Sequence, residues 1–129
     1  MTIAGRQLLV QGLEEHIRVV KQLELALELL SVAATRMCHT LQSGHMVFWC
    51  GNGGSAADCS AISKARDIGV YTFAMTGKGG GHLTTLADIC LQVPSSDPTR
   101  IQESHILMGH LLCDLIEAQI DGAGMSDSN

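Results

Sequence analysis

From Leu13 to Ser43 the chain carries neither glycine nor proline, and apolar residues recur at Leu13, Ile17, Val20, Leu23, Leu27 and Leu30. Spacings of three and four predict helix, in two segments. The second segment contains "LELLSVAATRMCHTL", Leu27 to Leu41, which is apolar on more than one face, so part of it is expected to meet another chain or a buried layer. "SGH" at Ser43–His45 closes the helical region with a glycine suited to a helix C-terminus. "MVFWC", Met46 to Cys50, reads as a short buried strand. "GNGGS" comes next, and "AADCSAISKARDIG" is helical by composition as far as Gly69. "VYTFAMT", Val70 to Thr76, reads as a second strand running into "GKGGG"; "ADICLQVP" alternates Ile89, Leu91 and Val93 and reads as a third, stopped by Pro94. Asp97 is placed to cap a final helix with Pro98 at its first position, and the stripe Ile101, His105, Met108, Leu112, Leu115 gives that helix an apolar face. "GAGMSDSN", residues 122–129, reads as a disordered tail.

Strand, glycine loop, helix, strand, glycine loop, strand, helix is an α/β order, and the helical crossover implies a parallel sheet. Ligands bind such sheets at the strand C-termini, where both glycine loops fall. A length of 129 residues predicts one domain. Hydrophobic residues make up 46% and charged residues 16%, a globular balance, while aromatics are only 3%, so the core must be built from Leu, Ile, Val, Ala and Met.

Eight basic residues stand against 13 acidic ones, and the basic ones are scattered singly from Arg6 to Arg100. Without a basic stripe or aromatic platforms, nucleic acid is not an expected partner. Five cysteines, an odd number without C-x-x-C spacing and mostly within apolar segments, read as a reduced core. No stretch reaches the ~20 apolar residues of a membrane span and the N-terminus lacks a signal-peptide pattern, so a cytoplasmic protein without membrane attachment is expected.

In "GNGGS" the glycines permit backbone angles closed to other residues, and the following helix points free N–H groups and the positive end of its dipole toward the loop. Such a place favours an anion. Ser55 adds a hydroxyl, and Asn52 can bond a hydroxylated ligand without a charge. The competing reading is a tight strand-to-helix turn that binds nothing. Gly51, Gly53 and Ala56 satisfy G-x-G-x-x-A, but the next strand ends "FAMTGK" with no acid to hold a ribose; a Walker A loop fails because Gly79 follows Gly77-Lys78. A small phosphorylated metabolite is the simplest anion left. On the last helix, Gln102 and His110 lie two turns and about 80° apart, and His110 can lean back toward Gln102. On the bare helix these are ordinary polar positions, and His105, within the apolar stripe, reads as a hydrogen-bonded core histidine.

Four motifs in order, "CGNGGSAAD", "TGKGGG", "LADICLQVPS" and "RIQESHILMGHLLCDLIE", resemble the phosphoheptose isomerases of the SIS (sugar isomerase) family, covering most of Met46 to Ile120. The resemblance implies a flavodoxin-like three-layer α/β sandwich with a parallel sheet and N-terminal helices. It implies one SIS domain over residues 1–121, with 1–44 as oligomerisation helices of a homotetramer and 45–121 as the α/β core. The implied reaction is the ketose–aldose isomerisation of sedoheptulose 7-phosphate to D-glycero-D-manno-heptose 7-phosphate, for lipopolysaccharide or capsule heptose. Carried over by motif, Asn52, Gly53, Gly54 and Ser55 form the substrate loop. Gln102 is shared by substrate and metal, and His110 is a metal ligand and the acid/base residue, around one Zn²⁺ per subunit.

The chain departs from that pattern after Ser60. There the family continues with a helix bearing a His and, four residues later, a Glu, the remaining zinc ligands and a base, and then with a Ser/Thr-rich phosphate loop. Here Ser60 meets "AISKARDIGV" directly. The motifs on either side keep their form, so a central segment left out between Ser60 and Ala61 is expected rather than a true deletion. The literal 129-residue chain is expected to be inactive. The alternatives are a non-catalytic SIS protein that binds the replication initiator and a sugar-phosphate-binding regulatory module.

Overall fold

A computed structural model describes residues 2–50 and 55–126, the side chains of 55–57 and 123–126 excepted. The long N-terminal helical region divides as expected. α1 spans Ile3–Gln22, begins where Thr2 Oγ1 accepts from the Gly5 amide at 3.1 Å, and passes through one 3₁₀ turn, Leu23–Ala26, into α2, Leu27–Gln42. Gly44 ends α2 at φ +77°, with the His45 amide donating to the Thr40 carbonyl and the Gly44 amide to that of Leu41, both at 3.0 Å. Those two bonds are a Schellman cap, which only a residue tolerant of positive φ completes without strain.

The "MVFWC" segment is not a buried strand. Residues 45–50 are irregular, with Phe48 79% and Trp49 59% exposed. A strand of this length holds only if a neighbour receives its amides and carbonyls, and neither strand of the described sheet pairs with it. α3 follows as Ser55–Asp67 and is closed by Gly69 at φ +79°. Ser60 and Ala61, where the sequence departs from the family pattern, are consecutive residues inside this helix. Helix-forming residues on both sides, Ala56 and Ala57 before and Ala61 and Ala65 after, let the two flanks join in one helix.

The sheet has two parallel strands, β1 (Phe73–Thr76) and β2 (Ile89–Gln92), in register from Phe73 opposite Ile89 to Thr76 opposite Gln92. β1 is shorter than the seven-residue segment expected: the Thr72 amide and hydroxyl are bound to Asp88 Oδ2, while the Thr72 carbonyl accepts from the Ile89 amide at 3.2 Å. A parallel pair needs a crossover of about a dozen residues. Gly77–Asp88 supplies it, with the single turn α4, Leu83–Leu86, on the way. The last helix, α5 (Pro98–Ser126), starts as expected: Asp97 Oδ1 accepts from the Thr99 amide at 2.8 Å, and the Asp97 carbonyl from the Ile101 amide. It runs on to Ser126, so 122–126 are helical rather than a disordered tail, and residues 127–129 lie outside the described ones.

The core joins Val19, Leu23 and Leu30 of the N-terminal helices to Leu91 and Val93 of the β2 segment and to Met108 and Leu112 of α5. Three of the five expected stripe positions of α5 hold only in part: Ile101 and His105 are half-buried, and Leu115 is exposed. Of the cysteines only Cys38 is in the core; Cys50 and Cys113 are exposed, and Cys59 and Cys90 lie between. Among the described residues no helix is long and apolar enough to cross a membrane.

Asp88 clips the start of β2 to the start of β1. Its Oδ2 accepts from both the Thr72 amide and the Thr72 hydroxyl at 2.7 Å, and these bonds, aided by the nearby Arg66 and Arg36, hold its carboxyl below the usual value of 3.8. The contribution is complete above that value and is lost as pH falls through the lower folded value. Asp88→Ala is expected to cost about 1–3 kcal/mol in urea unfolding at pH 7. In Asp88→Asn, which keeps an acceptor but no charge, part of the stability loss below pH 4 should vanish; an acid limb identical to wild type would show that the carboxylate is not responsible.

Candidate functional site

The C-terminal ends of β1 and β2 carry the surfaces that the sequence marks for ligand binding. Beyond Thr76 comes the Gly77–Gly81 loop. Its Lys78 amide donates to the Ser95 carbonyl at 2.8 Å, which ties it to the segment after β2. A Cβ on Gly77 would collide with the Ile101 side chain, so glycine there lets α5 sit directly against the loop. Gly80 has φ +61°, and a Cβ on it would collide with Thr84 Cγ2. On α5, the His105 Nε2–H donates to the Thr76 carbonyl at 3.3 Å, fixing the second turn of the helix to the end of β1. His105 is therefore hydrogen-bonded, as expected, but only half-buried.

Gln102 lies one turn before His105 and His110 just over one turn beyond it, both exposed along α5. About 12 Å of helix rise separates them. Among the described residues no three His, Cys, Asp or Glu side chains converge as a metal cage. An amide oxygen and one imidazole are two donors where zinc takes four, so Gln102 and His110 fit the ion only as part of a larger donor set. Asn52, Gly53 and Gly54 of the substrate loop lie outside the described residues. Of Ser55 only the backbone is described, as the first residue of α3, so the loop does lead straight into a helix N-terminus.

The sequence reading missed a clip that sets the position of α1 against the first turns of α5. Glu103 Oε2 takes His16 Nδ1 at 2.7 Å and Arg100 Nη1 at 3.0 Å, while Arg100 Nη1 also donates to the Gly12 carbonyl at 2.9 Å. Arg100 Nε is buried without a partner among the described residues. Because Glu103 follows Gln102 in the chain, this clip also anchors the helical turn that presents Gln102. His16 and Glu103 are 87 residues apart and Gly12 and Arg100 88, beyond the reach of any local spacing rule.

No family model matches the chain. Curated relatives do. A protein of Sulfurimonas denitrificans named phosphoheptose isomerase is 44% identical over 75 residues, 58% of this chain and 38% of that protein. Proteins of the same name from Akkermansia muciniphila and Helicobacter pylori are 48% and 50% identical over 62 and 66 residues, 48% and 51% of this chain. Over about half its length the chain is thus similar to phosphoheptose isomerases, as its motifs indicate, while it spans only about a third of the length of these relatives.

The geometry of the second glycine loop makes Gly80→Ala a sharp probe of this end of the sheet. A Cβ at positive φ facing Thr84 is expected to cost about 1–3 kcal/mol and to shift the amide resonances of Lys78 and Ser95. Unchanged stability and unchanged resonances would mean that the loop conformation does not require glycine.

Proposed function

We propose that this chain carries part of the site of a phosphoheptose isomerase, the enzyme class that converts sedoheptulose 7-phosphate to D-glycero-D-manno-heptose 7-phosphate in heptose biosynthesis for lipopolysaccharide or capsule. The observation that carries the reading is the 44–50% identity to relatives of that name. Asn52, Gly53, Gly54 and Ser55 bind the substrate ahead of the α3 N-terminus, Gln102 binds its hydroxyls, and His110 exchanges the proton that moves between adjacent carbons. A ketose–aldose exchange needs only such a proton shuttle and a polarised carbonyl. One Zn²⁺ per subunit, held by Gln102, His110 and donors beyond this chain, would supply that polarisation.

A second reading rests on the composition of α3, Ser55–Asp67, which carries no His and no Glu. On that reading the 129-residue chain binds the sugar phosphate and does not turn it over. Titration with sedoheptulose 7-phosphate separates the outcomes. Saturable shifts of the Asn52–Ser55 amide resonances are expected, with no aldose signal appearing; aldose formation would favour a complete enzyme, and absence of any shift would remove both readings. Zinc retention, measured by equilibrium dialysis, should fall at least tenfold in His110→Ala, and equal retention would remove His110 as a ligand.

We further propose that the N-terminal helices assemble the protein as a homo-oligomer, a tetramer in the fullest form. On α1, Ile3, Val10, Leu13 and Ile17 recur at heptad-like spacing and remain exposed, from 42% to 81%. Such a seam in water favours a helical partner. Sedimentation is expected to show an oligomer at micromolar concentration, dissociated by Leu13→Glu; a wild-type monomer would overturn this assignment.

A further inference from the structure

At the opposite end of the sheet from the Gly77–Gly81 loop, before β1 and β2 begin, two open surface clefts of about 510 and 340 Å³ adjoin and share Arg36 and Tyr71 in their walls, which exposed residues line. Arg36 reaches in from α2, Arg66 from the last turn of α3, and Tyr71 from the link into β1. The Arg36 guanidinium lies 4.1 Å from the centroid of the Tyr71 ring. An arginine stacked by its face keeps its N–H edge free for bidentate bonding, the geometry that phosphate and carboxylate oxygens match.

Arg36 has no side-chain hydrogen bond or ion pair among the described residues. Arg66 spends one N–H group on the Leu86 carbonyl and approaches Asp88 Oδ1 at 4.0 Å, leaving other donors unused. Asp88 is the acid of the cleft, and its Oδ2 is already occupied by the Thr72 amide and hydroxyl. Two guanidinium groups against one committed carboxylate leave a local positive excess in a protein of net charge −5. His39 lines the larger cleft one helical turn beyond Arg36 and supplies a further ring N–H. None of these groups takes part in the isomerase reading, whose Gln102 lies one helical turn before His105, the residue bonded to the far end of β1.

We propose that the Arg36–Tyr71–Arg66 cleft is a second anion site, which binds the phosphate group of a small metabolite, with the guanidinium edges gripping the oxygens and the Tyr71 ring holding Arg36 in place. Two cations select a dianionic phosphate over a singly charged carboxylate. Free phosphate and a phosphate ester share this chemistry, and the size of the adjoining clefts leaves room for the rest of an ester.

The test uses Tyr71, the single tyrosine of the chain, whose ring resonances are therefore unambiguous. Inorganic phosphate and glycerol 3-phosphate are titrated separately into the purified protein at constant ionic strength, with chloride as the control. Saturable movement of the Tyr71 ring signals by either phosphate compound is expected, and tighter binding of the ester would identify an ester as the ligand. Arg36→Gln should weaken binding about tenfold or more, and Arg36→Lys should recover only part of it, because an ammonium cannot give the planar bidentate grip. Arg66→Gln should act in the same direction; its bond to Leu86 makes Arg36→Gln, which removes no such bond, the deciding variant. Linear movement without saturation, the same movement with chloride, or unaltered affinity in Arg36→Gln would each overturn the site. Since sedoheptulose 7-phosphate is read at Asn52–Ser55, failure at Tyr71 leaves the isomerase reading standing, and failure there leaves this one.

Discussion

The contact between α2 and α5 is the constraint on which the remaining structure depends. Ala33 and Ala34 on α2 are almost wholly buried, and their small side chains let the α5 backbone come close enough for Met108 and Leu112 to reach the same core as Leu30. With so few aromatic residues the chain gains its burial through close approach instead of bulk, and tightly packed interiors reward that. Leu91 and Val93 complete the core from the β2 side, so a two-stranded sheet that would be marginal alone is held by the helices. Ser104, the buried polar residue in the second turn of α5, leaves no unmet donor, because its hydroxyl bonds back to the Arg100 carbonyl at 2.8 Å.

What the sequence made legible follows how local each signal is. Gly44 and Gly69 marked helix ends because a Schellman cap needs a positive φ within a few residues of the helix it closes. Asp97 and Pro98 marked the start of α5 for the same reason. "MVFWC" misled because its apolar run describes a strand only in company; its hydrogen bonds must be met by another strand, and that is a tertiary fact. The extension of α5 past Gly122 was equally illegible, since one glycine weakens a helix by only about 1 kcal/mol. Of the candidate site, the glycine loops and Gln102 were visible as motifs. The bonds from His16 and Gly12 to Glu103 and Arg100 and the Arg36–Tyr71 stack were not, because they join residues dozens of positions apart.

The two ends of the sheet are held by different chemistry. At the C-terminal end, backbone groups dominate: the Lys78 amide meets Ser95, and His105 meets the Thr76 carbonyl. At the N-terminal end, side chains dominate: Asp88, Thr72, Arg66 and Arg36 surround the starts of the strands. Backbone amides in a glycine loop recognise an anion by shape and partial charge, while guanidinium groups recognise it by full charge, so a loop of that kind suits a ligand already fixed by other contacts and an arginine pair suits one held by its phosphate alone.

β1 links those two ends, and it is only four residues long. Tyr71 lies two positions before it, Thr76 closes it, and His105 of α5 is bonded to that same Thr76 carbonyl. About 13 Å of strand is thus all that lies between the Thr72–Asp88 clip and the carbonyl that receives His105 of the helix bearing Gln102 and His110. Thr72 strengthens the argument, because it is gripped by Asp88 on one side and continues directly into the ladder on the other. The same clip that joins the two strand starts thus sets one wall of the charged cleft on a strand whose far end meets α5.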